Sequence, residues 1–164
     1  VLGADLNPDA MERFKAAGGI PSTLEDIMRE ADVVVASTGV PNLIKPGMVR
    51  KGQVILALTN PEPEIKPNRA MAHGARFAAD GRSVNNLLGY PGIWKGSLDA
   101  RARRITREMF VAAAETIAAQ ADEGELVPSP ISKRVHREVA RAVARAAMDC
   151  GVARIKLDED YFHS

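Results

Sequence analysis

Ala31-Asp32-Val33-Val34-Val35-Ala36-Ser37 restricts the fold more than any other segment. Three successive valines run there without the polar alternation of a strand that is wet on one face. A continuous β-branched run suits a parallel strand covered on both faces. Thr38-Gly39-Val40-Pro41 breaks it sharply. Gln53-Val54-Ile55-Leu56-Ala57-Leu58 repeats the pattern and ends in Thr59-Asn60-Pro61. Residues 75–78 could form a brief further strand. Residues 1–5 read as a strand entered abruptly and ending in the acid Asp5.

Helical signals fall between these strands. Asn7 and Pro8 mark an N-cap and a first helical position. Met11, Phe14 and Ala17 recur at helical spacing until Gly18-Gly19. Ser22, with Glu25 three residues on, has the capping-box pattern, and Leu24, Ile27 and Met28 give an apolar face. Residues 68–73 suit a short helix. Strands alternating with helices predict an α/β fold with a parallel sheet.

The C-terminal part reads differently. Residues 99–121 are Ala-rich, with Ile105, Met109, Ala112, Ala113 and Ile117 on one face. Gly89-Tyr90-Pro91-Gly92 reads as a rigid turn, and Gly124 with Pro128-Ser129-Pro130 as a linker. Over residues 134–148, Val135, Val139, Val143 and Ala147 repeat every four positions, and Gly151 is placed to end that helix. The last nine residues are polar and read as loosely held.

Composition narrows the function. The 164 residues carry a formal net charge of +1 and only 4% aromatics. That gives no electrostatic argument for nucleic acid and no aromatic stacking platform. No apolar run approaches the ~18 residues of a membrane span. Length suggests one globular domain. The single cysteine, Cys150, rules out an intrachain disulfide framework and makes the reduced cytoplasm the default compartment. Cys150 reads as a small buried hydrophobe rather than a nucleophile. His73, His136 and His163 show no metal-site spacing, and His136 reads as a surface residue. Glu62, Glu64 and Asp99 are too scattered for a metal cluster.

Ligands of doubly wound sheets bind beyond the carboxyl ends of the strands. Three strand ends therefore matter here. At the first, Asp5 can accept both ribose hydroxyls of an adenosine half, which favours NAD over NADP, or can serve as a turn acid. At the second, Ser37-Thr38-Gly39 lets the backbone approach a ligand, or simply turns the chain. At the third, Asn60 offers a donor and acceptors, or an Asx turn before Pro61. Asn85 and Asn86 follow the later strand and could bind a substrate carboxylate or hydroxyl, or tie their loop to backbone.

Two stretches resemble one family. Ala57-Leu58-Thr59-Asn60-Pro61-Glu62-Pro63-Glu64-Ile65 resembles the "A-L-S/T-N-P-x-P-E" segment of malic enzymes. Val84-Asn85-Asn86-Leu87-Leu88-Gly89-Tyr90-Pro91-Gly92-Ile93, followed by Gly96-Ser97-Leu98-Asp99, resembles their "V-N-N-x-L-x-F-P-G-I-x-x-G-A-L-D" stretch. Val127-Pro128-Ser129-Pro130 and residues 139–144 are similar to the family's tail. The likeness spans roughly residues 33–154, in order. Ala31 to Pro41 also resembles the Rossmann strand of methylenetetrahydrofolate dehydrogenases, over that strand and its loop alone.

The malic enzyme resemblance implies an oxidative decarboxylase that takes malate to pyruvate and CO2 with NAD, or with NADP, and Mg2+ or Mn2+. It implies that Asp5, Ser37, Thr38, Gly39 and Asn60 contact the cofactor, and that Asn60, Asn85 and Asn86 contact substrate. It places the catalytic tyrosine and lysine and the metal ligands upstream, so none is expected in this chain. The expected fold is a Rossmann-like parallel sheet lacking its first βα unit, followed by C-terminal helices. Residues 1–97 form a partial dinucleotide-binding domain and 98–164 its helical extension in this reading. The expected partner is a small-molecule substrate, with neither nucleic acid nor membrane, in a homodimer or larger assembly in the cytoplasm. A catalytically inactive nucleotide-binding remnant is the alternative. The family also carries several residues between "G-R-S" and "V-N-N"; here Ser83 runs straight into Val84.

Overall fold

The computed structural model describes residues 1–84, 86–122 and 125–163. It divides into two compact units, residues 1–84 and 85–164. The sequence reading puts its division at 97/98 instead, within a helix (Tyr90–Asp99) of the second unit.

The first unit is α/β. In chain order it holds β1 (Leu2–Gly3), α1 (Pro8–Ala16), β2 (Ile20–Pro21), α2 (Leu24–Glu30), β3 (Val33–Ala36), β4 (Val54–Ala57), α3 (Pro67–Ala72) and β5 (Phe77–Asp80), with a 3-10 turn at Pro46–Met48. All strand pairs are parallel. They form two sheets, β1-β2 and β3-β4-β5. Val33 pairs with Val54 and Ala36 with Ala57; Val54 in turn pairs with Phe77 and Ala57 with Asp80.

Local chemistry explains the helix starts. Asn7 Oδ1 accepts from the amides of Asp9 and Ala10 at 2.9 and 3.3 Å, with Pro8 leading the helix. For α2 the cap lies one residue later than the sequence suggests. Thr23, not Ser22, accepts from the Asp26 amide at 3.1 Å and donates back to the Asp26 carboxylate at 2.8 Å. The return bond runs between side chains, so this is an N-cap with a supporting side-chain contact rather than the Ser-Glu capping box. Gly18, at φ +86°, ends the α1 segment as expected.

The core of this unit lies on one face of the larger sheet. Met28, Val34, Ala36, Ile44, Ile55, Ala57, Ile65, Ala70 and Ala75 are buried together. The other face departs from expectation. Val33 and Val35 are 57% and 63% exposed, whereas Val34 and Ala36 are 4% and 8% exposed. The valine run is therefore covered on one face only in this chain. β-Branched residues fit a pleated surface whichever face they occupy. Gln53 is a fully buried amide side chain: its Nε2 donates to the carbonyls of Met28 and Ala31 at 3.0 and 2.8 Å, and its Oε1 accepts from the Arg50 amide at 3.1 Å.

The second unit is helical, with α4 (Tyr90–Asp99), α5 (Arg107–Ala119), α6 (Lys133–Asp149) and α7 (Glu159–His163). Gly89-Tyr90-Pro91-Gly92, expected to be a turn, is the start of α4, with Pro91 in its first turn. Residues 99–121 are not one helix. α4 ends at Asp99, Arg101 takes φ +49°, and α5 begins six residues later. α6 buries Val135, Val139, Ala140, Val143, Ala144 and Ala147, matching the expected stripe. Gly92 and Gly96 give α4 its close approach to α6. A Cβ on Gly92 would lie 2.6 Å from Val139 side-chain atoms, and one on Gly96 would collide with the Ala140 carbonyl oxygen.

The polar C-terminus is held rather than loose. The Tyr161 hydroxyl donates to Asp99 Oδ2 at 2.5 Å, Lys95 Nζ meets the same oxygen at 2.6 Å, and Arg141 Nε donates to the Tyr161 carbonyl at 3.2 Å. Cys150 is exposed, contrary to expectation, because it caps α6 at the surface. His136 is half-buried, and its Nε2 lies 3.1 Å from the Leu87 carbonyl oxygen. Gly124 lies outside the described residues. No described helix is long and apolar enough to cross a membrane.

Candidate functional site

β3 and β4 are adjacent and parallel, so their C-terminal loops emerge side by side. Ser37-Thr38-Gly39 leaves one strand and Thr59-Asn60 the other. A single carboxylate joins them. Glu64 is fully buried at 0% exposure. Its Oε1 accepts from the Thr38 amide at 2.7 Å, the Thr38 hydroxyl at 2.8 Å and the Thr59 hydroxyl at 2.5 Å. Its Oε2 takes a longer bond from the Thr59 amide, 3.3 Å. The Thr59 hydroxyl oxygen accepts from the Gly39 amide at 2.9 Å, and the Thr38 hydroxyl oxygen from the Val40 amide at 3.2 Å.

Buried charges need such partners. Burial alone pushes the Glu64 carboxyl up. The bonds from the Thr59 hydroxyl, the Thr38 amide, its own amide and the Thr38 hydroxyl outweigh burial and hold it below the usual glutamate value. Glu64 is therefore an anion inside the loop cluster at neutral pH. Its main chain is fixed as well, since the Ile44 amide donates to the Glu64 carbonyl at 3.0 Å.

Gly39 adopts φ +73°, and a Cβ built there would meet nothing within 4 Å. The backbone is bare on its outer side, so a ligand could rest directly against it. Asn60 is exposed, and its Nδ2 donates to the Gly81 carbonyl at 3.3 Å; the Asn60-Pro61 peptide is cis. Gly81 is the matching close approach, because a Cβ there would lie 2.5 Å from the Leu58 carbonyl oxygen and 2.6 Å from Asn60 Nδ2. The turn after β5 closes on Asp80, whose Oδ1 accepts from the amides of Arg82 and Ser83 at 3.1 and 3.2 Å. Ser83 passes directly into Val84 within that turn, where the Val84 amide donates to the Asp80 carbonyl at 3.0 Å.

The structure thus brings Ser37, Thr38, Gly39 and Asn60 to one pair of loops. Asp5 follows β1 in the other sheet of the same unit. It is exposed, and its Oδ1 accepts from the Asn7 amide at 2.7 Å, so it serves the turn as well. Asn86 belongs to the second unit, where it is exposed and its carbonyl accepts from the Tyr90 amide at 2.8 Å to start α4. Asn85 lies outside the described residues.

Sequence reading missed Glu64 and Gly81. In the structure Glu64 stands between Pro63 and Ile65 with all three buried, so the acid needs internal donors, and nothing local in the sequence announces that burial. Among the described residues no group of three or more His, Cys, Asp or Glu side chains could hold a metal ion. The described donor set does not fit a resident metal, and no step is derived through one. A dinucleotide fits better: an exposed carboxylate, a bare glycine and an exposed amide all stand at the C-terminal ends of parallel strands.

Parallel strands alternating with helices, with loops gathered at the strands' C-terminal ends, define an α/β class whose ligands bind at those ends. The family model "Malic enzyme, NAD binding domain" matches residues 49–151. The chain is 53% identical over 149 residues to the NAD-dependent malic enzyme 1 of Bacillus subtilis, covering 90% of this chain and 34% of that protein. It is 36% identical over 177 residues to the NADP-dependent malic enzyme of Halomonas elongata, covering 88% and 41%. The crystal structure of malic enzyme from Pyrococcus horikoshii superposes with a TM-score of 0.75 at 40% identity, over 85% of this chain and 35% of that one. The chain belongs to the malic enzyme NAD-binding domain family. It spans about a third of the length of the Bacillus and Pyrococcus relatives. The family-model match lies wholly beyond residues 31–41, the segment read as resembling methylenetetrahydrofolate dehydrogenases, and neither that reading nor the inactive remnant is favoured.

Proposed function

We propose that the protein carrying this chain oxidatively decarboxylates malate to pyruvate and CO2, with NAD as the hydride acceptor. The observation that carries this reading is the pair of loops after β3 and β4, bound into one surface by Glu64 in a chain of this family. Bound NAD would accept a hydride at its nicotinamide. The residues of this chain bind and orient. Asp5 accepts the adenosine ribose hydroxyls and disfavours a 2′-phosphate. Ser37, Thr38 and Gly39 line the dinucleotide. Asn60 lies near the nicotinamide and substrate, and Asn86, with Asn85, holds substrate oxygens. The proton chemistry and the Mg2+ or Mn2+ ligands belong to other parts of the protein. A cytoplasmic homodimer or larger assembly completes the reading, with the single cysteine as its support for a reducing compartment.

Malate-dependent reduction of NAD and of NADP, each with Mg2+ and with Mn2+, tests it. The expected result is reduction of NAD at a kcat/KM above that for NADP. Asp5→Ala should narrow that preference by weakening NAD. No reduction of either cofactor under any of the four conditions rejects the proposal.

A further inference from the structure

We propose that Glu64 is a positioning residue that shapes the loops after β3 and β4 to take the nicotinamide-ribose half of the dinucleotide rather than its pyrophosphate. This rests on the NAD-binding reading above, which already puts Asn60 near the nicotinamide, and adds the role of Glu64 to it. Three consecutive amides lead away from β3, and each is already engaged. Thr38 N–H donates to Glu64 Oε1, Gly39 N–H to the Thr59 hydroxyl that itself donates to Glu64, and Val40 N–H to the Thr38 hydroxyl that does the same. Pyrophosphate sites need several free N–H groups aimed at one point. Glu64 removes those donors from this loop and places its own negative charge behind it. What remains is open space at the Cα of Gly39, with nothing within 4 Å of where a Cβ would stand. Such a surface lets a sugar or a flat ring lie close. The Thr59 bonds hold the start of the neighbouring loop to the same carboxylate, and Asn60 follows directly.

Substitution at Glu64 separates positioning from general stability. Glu64→Gln can keep its amide oxygen where Oε1 stands, retaining three bonds and losing only the 3.3 Å contact at Oε2. Glu64→Ala loses all four. In the whole protein, dissociation constants for NADH and for ADP, which lacks the second ribose and the nicotinamide, are measured on wild type and both variants, with urea unfolding alongside. Glu64→Ala is expected to weaken NADH at least tenfold and ADP less than threefold, and Glu64→Gln to stay within threefold of wild type for both. Should Glu64→Ala fail to fold, Thr59→Val removes one link to each loop, and NADH should weaken at least threefold with ADP unchanged. Equal loss for the two ligands, or no loss in a folded variant, overturns the proposal. A Glu64→Gln protein as weak as Glu64→Ala also overturns it. Wild-type protein that binds ADP and NADH with no effect at Glu64 refutes this inference alone; wild type that binds neither refutes the NAD-binding reading as well.

Discussion

Gly96 carries the sharpest stability prediction. Its ideal Cβ would collide with the Ala140 carbonyl oxygen and lie 2.9 Å from Val143 Cβ and 3.0 Å from the Ala140 carbonyl carbon. Ordinary carbon contacts sit at ~3.5–4.0 Å, so α4 must move away from α6 by roughly 0.5–1 Å to admit a methyl group. A gap of that size forfeits about a quarter to a half of each dispersion contact along the crossing. The nearest obstacle is main chain inside α6, which no rotamer change can clear. Overpacking of this kind costs about 3 kcal/mol, the upper end of its usual range. Alanine returns about 1 kcal/mol through helix propensity. Gly96→Ala should therefore lose about 2 kcal/mol. With a urea slope of ~2 kcal/mol per M, the midpoint falls by about 1 M. The protein's one tryptophan, Trp94, sits on α4 and reports this transition by fluorescence. Gly92→Ala should move it the same way, because its Cβ would meet Val139 and the His136 carbonyl. Gly47→Ala, in open space within the first unit, should leave the Trp94 transition where it is. A Gly96→Ala midpoint at or above wild type would refute the account of the α4–α6 approach.

Four other outcomes are expected. Glu64 has a folded-state pKa below its unfolded value, so its contribution to stability is present above pH ~4.3 and is lost as pH falls through the lower folded value. The urea midpoints of wild type and Glu64→Ala should converge below pH ~4; a constant gap down to pH 2 counts against the buried anion. Gln53→Leu leaves the Arg50 amide and the Met28 carbonyl without their side-chain partner and should cost about 1–3 kcal/mol in chemical denaturation. Tyr161→Phe removes the bond to Asp99 and should cost about 1.5 kcal/mol, with faster tryptic cleavage after Lys156; unchanged cleavage would mean α7 is held by packing alone. Asn86→Ala should lower kcat/KM for malate by ~10-fold in the whole protein, as expected of a lost ~1.4 kcal/mol hydrogen bond, and an unchanged value removes Asn86 from the substrate site.

The parallel α/β class was legible because the apolar runs at β3 and β4 are long and end in turn chemistry. β1 falls within the apolar run read as a strand at residues 1–5, whereas β2, two residues long, leaves too short a pattern to read. α4 hid behind its composition. Gly92 and Gly96 look like turn residues in a linear reading, because glycine weakens an isolated helix. Their value appears only against Val139, Ala140 and Val143, more than forty positions away in sequence. The break between α4 and α5 was invisible for the opposite reason. Arg101 takes a left-handed φ that nothing in its own side chain advertises. The C-terminal segment looked unanchored because its anchors, Asp99 and Arg141, are distant in sequence.

At the candidate site, the exposed members could be named because their chemistry is local to a strand end. Asp5, Ser37, Thr38, Gly39 and Asn60 each follow an apolar run directly. Glu64 could not be ranked that way. Near Glu62 in an irregular proline-rich stretch, it reads as one of two solvated acids. Yet Glu62 is exposed and meets Lys66 at 3.7 Å, while Glu64 is sealed from water and accepts from two threonines. Extended-chain alternation would put Glu62 and Glu64 on the same side, so local periodicity does not say which of them is inside. That choice is made by backbone bonds from residues 42 and 44 to the carbonyls of Pro63 and Glu64. The consequence is chemical. A carboxylate that looks like surface charge instead decides which amides the strand-end loop keeps for itself, and so which part of a dinucleotide it can accept.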